Sequence, residues 1–163
     1  MGFDPLIIFF ATYFPYLVGL VFVVLAFRQP FVQNRARFLL EGLLSAFVAR
    51  GLVELIRIFI HRPRPFVADP SLVALISENS YSFPSGHAAF FFALSTVVYM
   101  YDKRAGVWFF LASAVLSIAR IMAGVHYPTD ILGGAVLGII VGFGVHLLFK
   151  RYRSRQQSGN AVG

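Results

Sequence analysis

Between Leu6 and Phe27 the chain carries no charged side chain. A run of that length, wound at about 1.5 Å per residue, crosses the roughly 30 Å hydrocarbon layer of a bilayer. A segment in lipid must satisfy its own backbone hydrogen bonds, which restricts it to helix. A secretory signal would place basic residues ahead of its apolar stretch, whereas here the preceding charge is Asp4 and Pro15 interrupts the run. The segment is therefore read as a retained first span with a proline kink.

Four more apolar stretches follow, at 36–60, 86–101, 105–123 and 131–149. Over 163 residues the composition is 58% hydrophobic and 13% charged, against a usual charged share of about 25%, which excludes an ordinary soluble domain. The stretches are separated by Gln29-Pro30 with Arg35 to Arg37, by the proline-rich segment 61–84, by Asp102-Lys103-Arg104 and by Gly124 to Asp130. The expectation is an all-α, polytopic membrane bundle of about five transmembrane helices, one domain over residues 1–150 followed by a basic cytoplasmic tail, 151–163. Within the long loop, Leu72 to Ile76 reads as a short apolar turn at the interface. The third span is short, so its start should lie below the membrane surface. Gly134, Gly138 and Gly142, spaced by four, form a small-residue stripe for close helix contact, read as packing inside one chain. Phe90, Phe91 and Phe92 read as lipid-facing packing, with the lining of a groove for a lipid tail as the alternative, and His146 reads as a packing or interface residue.

The formal charge of +7 comes from 14 Lys and Arg against 7 Asp and Glu. Nine of those basic residues, Arg28, Arg35, Arg37, Lys103, Arg104, Lys150, Arg151, Arg153 and Arg155, fall on one side of a five-span arrangement. The positive-inside rule makes that side cytoplasmic. The charge is then mainly a topology signal, and nucleic-acid binding loses its support. Of the other five, Arg50, Arg57, Arg62, Arg64 and Arg120, four gather at the outer ends of spans or in outer loops, together with His61, His87 and His126. Arg50, Glu54 and Arg57 lie four and three apart on one helical face, a pattern suited to an internal ion-pair ladder.

With no cysteine in the chain, thiolate zinc sites, iron–sulfur clusters and cysteine nucleophiles are excluded. A catalytic zinc site favours paired histidines or histidine with carboxylates, and His87 and His126 stand apart, so no metal and no cofactor is expected. Arginine offers fixed bidentate donors to phosphate, and histidine serves near neutrality as acid, base or nucleophile. Pro84-Ser85-Gly86-His87 opens a helix, with Ser85 as N-cap and Gly86 allowing close approach of a ligand; the positive end of the helix dipole then faces an anion. His126-Tyr127-Pro128-Thr129-Asp130 opens another, with Pro128 in its first turn and Asp130 able to reach back to His126.

Together, Arg57-x6-Arg64-Pro65, Pro84-Ser85-Gly86-His87 and Arg120-x5-His126-x3-Asp130 resemble the three signature motifs of the type 2 phosphatidic acid phosphatase (PAP2) superfamily, which includes vanadium haloperoxidases and glucose-6-phosphatase. The chain departs from the usual pattern at Arg57, where lysine is usual, and at Ala119, where serine is usual. It is also similar to the compact bacterial undecaprenyl-diphosphate phosphatases through Arg64-Pro65-Phe66-Val67, Phe83-Pro84-Ser85 and His126-Tyr127-Pro128-Thr129-Asp130. The family core commonly has six spans, one more than is expected here.

The resemblance implies a haloperoxidase-like helical core and a lipid phosphate or diphosphate substrate in a bacterial plasma membrane, and the charge asymmetry puts the site on the periplasmic or extracellular side. It implies attack by His126 on phosphorus, Asp130 orienting it, and His87 protonating the leaving oxygen. Arg57, Arg64 and Arg120, with Ser85 and the amide of Gly86, would hold the phosphate. Undecaprenyl diphosphate is the expected substrate, with phosphatidic acid and phosphatidylglycerol phosphate as alternatives. An anion-binding or transport protein using the same basic cluster is the reading from another class, opposed by the small size and lack of inverted repeats.

Overall fold

The computed structural model describes residues 2–28 and 32–160, so the expected loop at Gln29-Pro30 and the end of the tail, 161–163, lie outside the described residues. The first apolar run folds as α1 (Asp4–Ile8), a π-helical turn (Phe9–Tyr13) and α2 (Phe14–Leu25). The long central helices are α3 (Arg35–Phe59), the apolar α5 (Gly86–Tyr101), α6 (Lys103–Met122) and α7 (Pro128–Asn160), with a single turn, α4 (Pro65–Ala68), in the long loop. Among the described residues, Asp4–Leu25, Lys103–Met122 and Pro128–Ser154 are long and apolar enough to cross a membrane. Two of the five expected spans fall outside that description for different reasons. Helix α3 has the length but carries Glu41, Arg50, Glu54 and Arg57, and α5 is apolar but only 16 residues long.

Pro15 has no N–H for the carbonyl of Ala11, and its ring crowds that oxygen. The π-helical turn just before it is where the chain absorbs the mismatch. Helix α2 then seats on α3 through a glycine notch: a Cβ at Gly42 would lie 2.3 Å from Phe22 Cζ. Phe22 and Phe38 meet as a tilted ring pair at 4.7 Å and join Leu94, Val98 and Leu116 in the main core.

The glycine stripe packs within the chain, as expected. A Cβ at Gly134, Gly138 or Gly142 would lie 2.4, 2.3 or 2.7 Å from the carbonyl oxygens of Ser85, Ala89 and Ala93. Those three glycines bring α7 into backbone contact with α5 along three turns. Across the other side of α5, Ser95 and Ser113 bond at 2.9 Å and tie it to α6.

Helices α3 and α6 end where α5 and α7 begin, so Arg57, Gly86, Arg120 and Pro128 share one end of the bundle. The opposite end carries the first turn of α3, the α5–α6 junction at Asp102 and the basic stretch after Lys150. Helix α7 runs through residue 150 without a break. At that far end Glu41 is fully buried, paired with Arg37 and accepting from His146 Nδ1 at 2.9 Å. His146 is therefore a partner for a buried carboxylate as well as a packing residue.

Leu72 to Ile76 forms no helical turn. Its amide at Leu75 donates to the Ala123 carbonyl, and Ala74 to Ile76 pack on the cluster of Ala11, Ala119 and Val125. The segment is held by protein, while Val73 remains exposed. Phe90 and Phe91 line an open cavity between α5, α2 and α3, in keeping with the groove alternative, because the face of α5 that carries them turns toward those helices. Phe92 packs on Phe110 at 5.9 Å.

Candidate active site

Helix α6 stops at Gly124, whose φ of +75° is the left-handed conformation that ends helices and favours glycine. The short link that follows delivers His126 to the N-terminus of α7, where it is almost completely buried. Its Nδ1 faces Asp130 Oδ2 at 3.4 Å, the i, i+4 reach expected from the sequence. Asp130 is fixed in turn by the Tyr127 amide at 2.8 Å, by Arg62 Nη1 at 2.8 Å and by a short bond from Ser82 Oγ. Arg62 also lies over the Tyr127 ring at 4.0 Å. Engaging Nδ1 with the carboxylate leaves Nε2 as the nitrogen with a lone pair to offer. Burial lowers the pKa of His126, against the opposing hydrogen bond to Asp130, and nearby Arg120 and Arg64 lower it further. This balance favours the neutral ring.

Three arginines converge beside it. Arg64, almost fully buried, donates from Nη1 to the Val125 carbonyl at 2.8 Å, and from Nε to the Ser80 carbonyl at 2.7 Å. Burial lowers its pKa to about 10, which still leaves it cationic at pH 7. Arg57 Nη2 donates to the Pro84 carbonyl at 3.1 Å, and Nη1 to Ser80 Oγ at 3.2 Å and Glu54 at 3.0 Å. Arg120 Nη1 donates to the Ala11 carbonyl at 3.2 Å. This is the oxygen that Pro15, having no N–H, cannot engage. Ala119, the departure from the usual serine, packs in the same cluster as Ala11, so an apolar contact with the first helix stands where a hydroxyl is usual.

Glu78 sits between two of these arginines, with one oxygen bonded to Arg120 and the other 3.3 Å from Arg64 Nη2. Burial alone would raise its pKa, but the charges of Arg120 and Arg64 hold it below the usual range. A two-oxygen anion bridging two guanidiniums is the arrangement in which they would hold a phosphate. In addition, Arg57 Nε and Arg120 Nε are buried without a hydrogen-bond partner, each orphaned donor costing about 1–3 kcal/mol until an acceptor arrives. The five arginines at this end, Arg50, Arg57, Arg62, Arg64 and Arg120, face the carboxylates of Glu54, Glu78 and Asp130, leaving a positive surplus suited to an oxyanion.

Ser85 caps α5, its hydroxyl accepting from the Ala88 amide at 3.4 Å, and its own amide donates to the Asp130 carbonyl at 3.0 Å. That bond joins the first turns of α5 and α7, so both positive helix ends point into one site. The close approach that Gly86 permits is made by Arg50: a Cβ there would lie 2.9 Å from its guanidinium carbon. His87 lines a largely apolar cavity of about 450 Å³ with Arg50, Phe47, Phe90 and Phe91. Arg57 and Arg64 line a second cavity, of about 690 Å³, with Glu54, Glu78 and Ser80. His87 lies within electrostatic reach of Arg120, Glu78 and His126.

All eight residues singled out from the sequence thus meet at one end of the bundle. Glu78, Ser80, Ser82 and the carbonyl of Ala11 were missed, as was the bond from Arg62 to Asp130. Arg62 was visible as a charge against the topology rule; the others lie in irregular or apolar segments where spacing gives no signal.

The sequence profile of the PAP2 superfamily matches residues 38–154, which is most of the chain and every residue of the cluster apart from Ala11. The chain belongs to the PAP2 superfamily. Among its relatives, a protein named bacitracin transport permease protein BcrC from Bacillus licheniformis is 34% identical over 140 residues, 84% of this chain and 67% of the relative. Undecaprenyl-diphosphatase BcrC from Bacillus subtilis is 31% identical over 122 residues, 74% of this chain and 60% of the relative. The chain thus spans about two thirds or less of these two relatives. The crystal structure of Aquifex aeolicus LpxE superposes with a TM-score of 0.71 at 30% identity, covering 86% of this chain and 84% of that one. For this PAP2 protein, the long apolar helices and the bacterial relatives agree on a membrane protein.

Proposed function

We propose that this PAP2 protein is a membrane lipid phosphatase that converts undecaprenyl diphosphate to undecaprenyl phosphate through a phosphohistidine on His126. The observation that carries the reading is the buried His126, facing Asp130 and flanked by three arginines. The name of the Bacillus subtilis relative favours the diphosphate substrate.

In the proposed reaction the terminal phosphate displaces Glu78 from Arg64 and Arg120, and Arg57 completes its cradle. His126 Nε2 attacks phosphorus, forming the N–P bond as the bridging P–O bond breaks, and His87 supplies a proton to the departing oxygen. Asp130 stabilises the ring while it is cationic. Charge spread over the equatorial oxygens in a loose transition state is matched by fixed guanidiniums. Water then cleaves the N–P bond and releases orthophosphate. The arginines supply the neutralisation, so no step calls on a metal. The helix ends that carry the site lie opposite the basic end of the bundle, which supports an outward-facing site and a cytoplasmic C-terminus.

Orthophosphate release by purified protein in excess chelator, measured on undecaprenyl diphosphate, phosphatidic acid and phosphatidylglycerol phosphate, tests the proposal. Preferential release from the diphosphate is expected. No release from any of the three, or activity that appears only when Mg²⁺ is restored, contradicts it.

A further inference from the structure

Arg50 lies outside the three motifs and is left unused by the proposed chemistry. It lies on the same face of α3 as Glu54 and Arg57. The guanidinium overhangs the backbone of Gly86, one residue from His87, and lines the apolar cavity of about 450 Å³. Glu54 is its ion-pair partner, and both side chains are close to half exposed, 42% and 50%. An exposed pair of this kind contributes little, roughly 0–1 kcal/mol. The same Glu54 oxygen also accepts from Arg57, so one carboxylate faces two guanidiniums and cannot neutralise both. Arg57 lines one cavity with Arg64 and Glu78, whereas Arg50 lines the other with His87, Phe47, Phe90 and Phe91.

The two cavities divide a lipid diphosphate in a definite way. The transferred phosphoryl group belongs with Arg57 and Arg64. The leaving group belongs on the side of His87, where apolar walls from Phe47, Phe90 and Phe91 suit a hydrocarbon tail. For a phosphate monoester that leaving group is an alcohol. For a diphosphate it is a second phosphate, which brings additional negative charge to the place where Arg50 sits.

We infer that Arg50 binds the non-scissile phosphate of a lipid diphosphate and sets the preference of this site for diphosphates over monophosphates. This rests on the phosphatase reading above and adds a specificity-determining residue to it. A guanidinium at that point offers a fork to the two free oxygens of the bridging phosphate, and it withdraws charge from the departing group as the P–O bond breaks. A monophosphate ester presents nothing for it to hold.

The test uses the full chain in detergent and two substrates with one tail, farnesyl diphosphate and farnesyl phosphate. The ratio of their kcat/KM values is expected to fall at least tenfold in Arg50→Gln, mainly through KM for the diphosphate, and to be partly restored in Arg50→Lys. An unchanged ratio, whether both substrates lose equally or neither changes, overturns the inference. A wild type that turns over the monophosphate as well as the diphosphate overturns it too and leaves the phosphatase reading standing; turnover of neither removes both. Competition on the wild type is independent of any variant's folding: inorganic pyrophosphate should inhibit more tightly than orthophosphate, and equal inhibition contradicts the assignment.

Discussion

An imidazole out of water, with two arginines nearby, gives up its proton more readily than one in solvent, and for His126 the carboxylate of Asp130 works against that tendency. Protonation of the ring as pH falls through its pKa removes the nucleophile, so activity should decline on the acid side of an apparent pKa below 6.5. Asp130→Asn removes the hydrogen bond that raises this pKa. Its acid limb should move to still lower pH, while the maximal rate drops roughly 10²–10⁴-fold for want of orientation. Profiles of kcat/KM against pH for wild type and variant check both effects. At this scale much was legible, because His126 and Asp130 are four residues apart at a helix start and the arginines stand against the topology rule. Glu78, Ser80 and Ser82 were not. Their side chains and carbonyls meet Arg64, Arg120 and Asp130 only after a loop with no periodicity folds over the bundle end.

Helices place these residues through small-residue contacts. The glycine stripe of α7 was read from its spacing alone, and its partner, the Ser85–Ala93 face of α5, became evident only in three dimensions. A methyl group at Gly138 would press on the Ala89 carbonyl at 2.3 Å, whereas one at Gly144 meets nothing within 4 Å. Gly138→Ala should therefore cost about 1–3 kcal/mol by overpacking, lower Tm and reduce turnover as α5 and α7 separate at the Ser85–Asp130 bond. Gly144→Ala should keep both; thermal melts of the two variants in detergent give the comparison. Pro15 shows the limit of reading elements from sequence. A kink was expected from its missing N–H, but the structural consequence is a π-helical turn and a carbonyl at Ala11 released to Arg120. Nothing in the local sequence reports a bond to a residue so distant in the chain.

For the whole molecule, charge carries the organisation. The basic residues that orient the chain lie at the end of the bundle opposite the arginine cluster, a separation visible in the sequence once the apolar runs were drawn as helices. The number of spans was less legible. Internal charges of α3 serve the site and the buried Glu41 pairings, which depresses its apparent apolarity, and α5 is too short by itself to cross a bilayer. Because the chain has no cysteine, single replacements can report sidedness. In intact cells a membrane-impermeant thiol reagent should label Ser71→Cys and spare Ser154→Cys until the membrane is opened; the reverse pattern refutes the outward-facing site. In the proposed reaction, substrate chemistry depends on one imidazole, that of His126. Orthophosphate release from undecaprenyl diphosphate by His126→Ala, compared with wild type at equal protein and in excess chelator, measures this directly. The account predicts a loss of more than about a thousandfold, and release within twofold of wild type would contradict it.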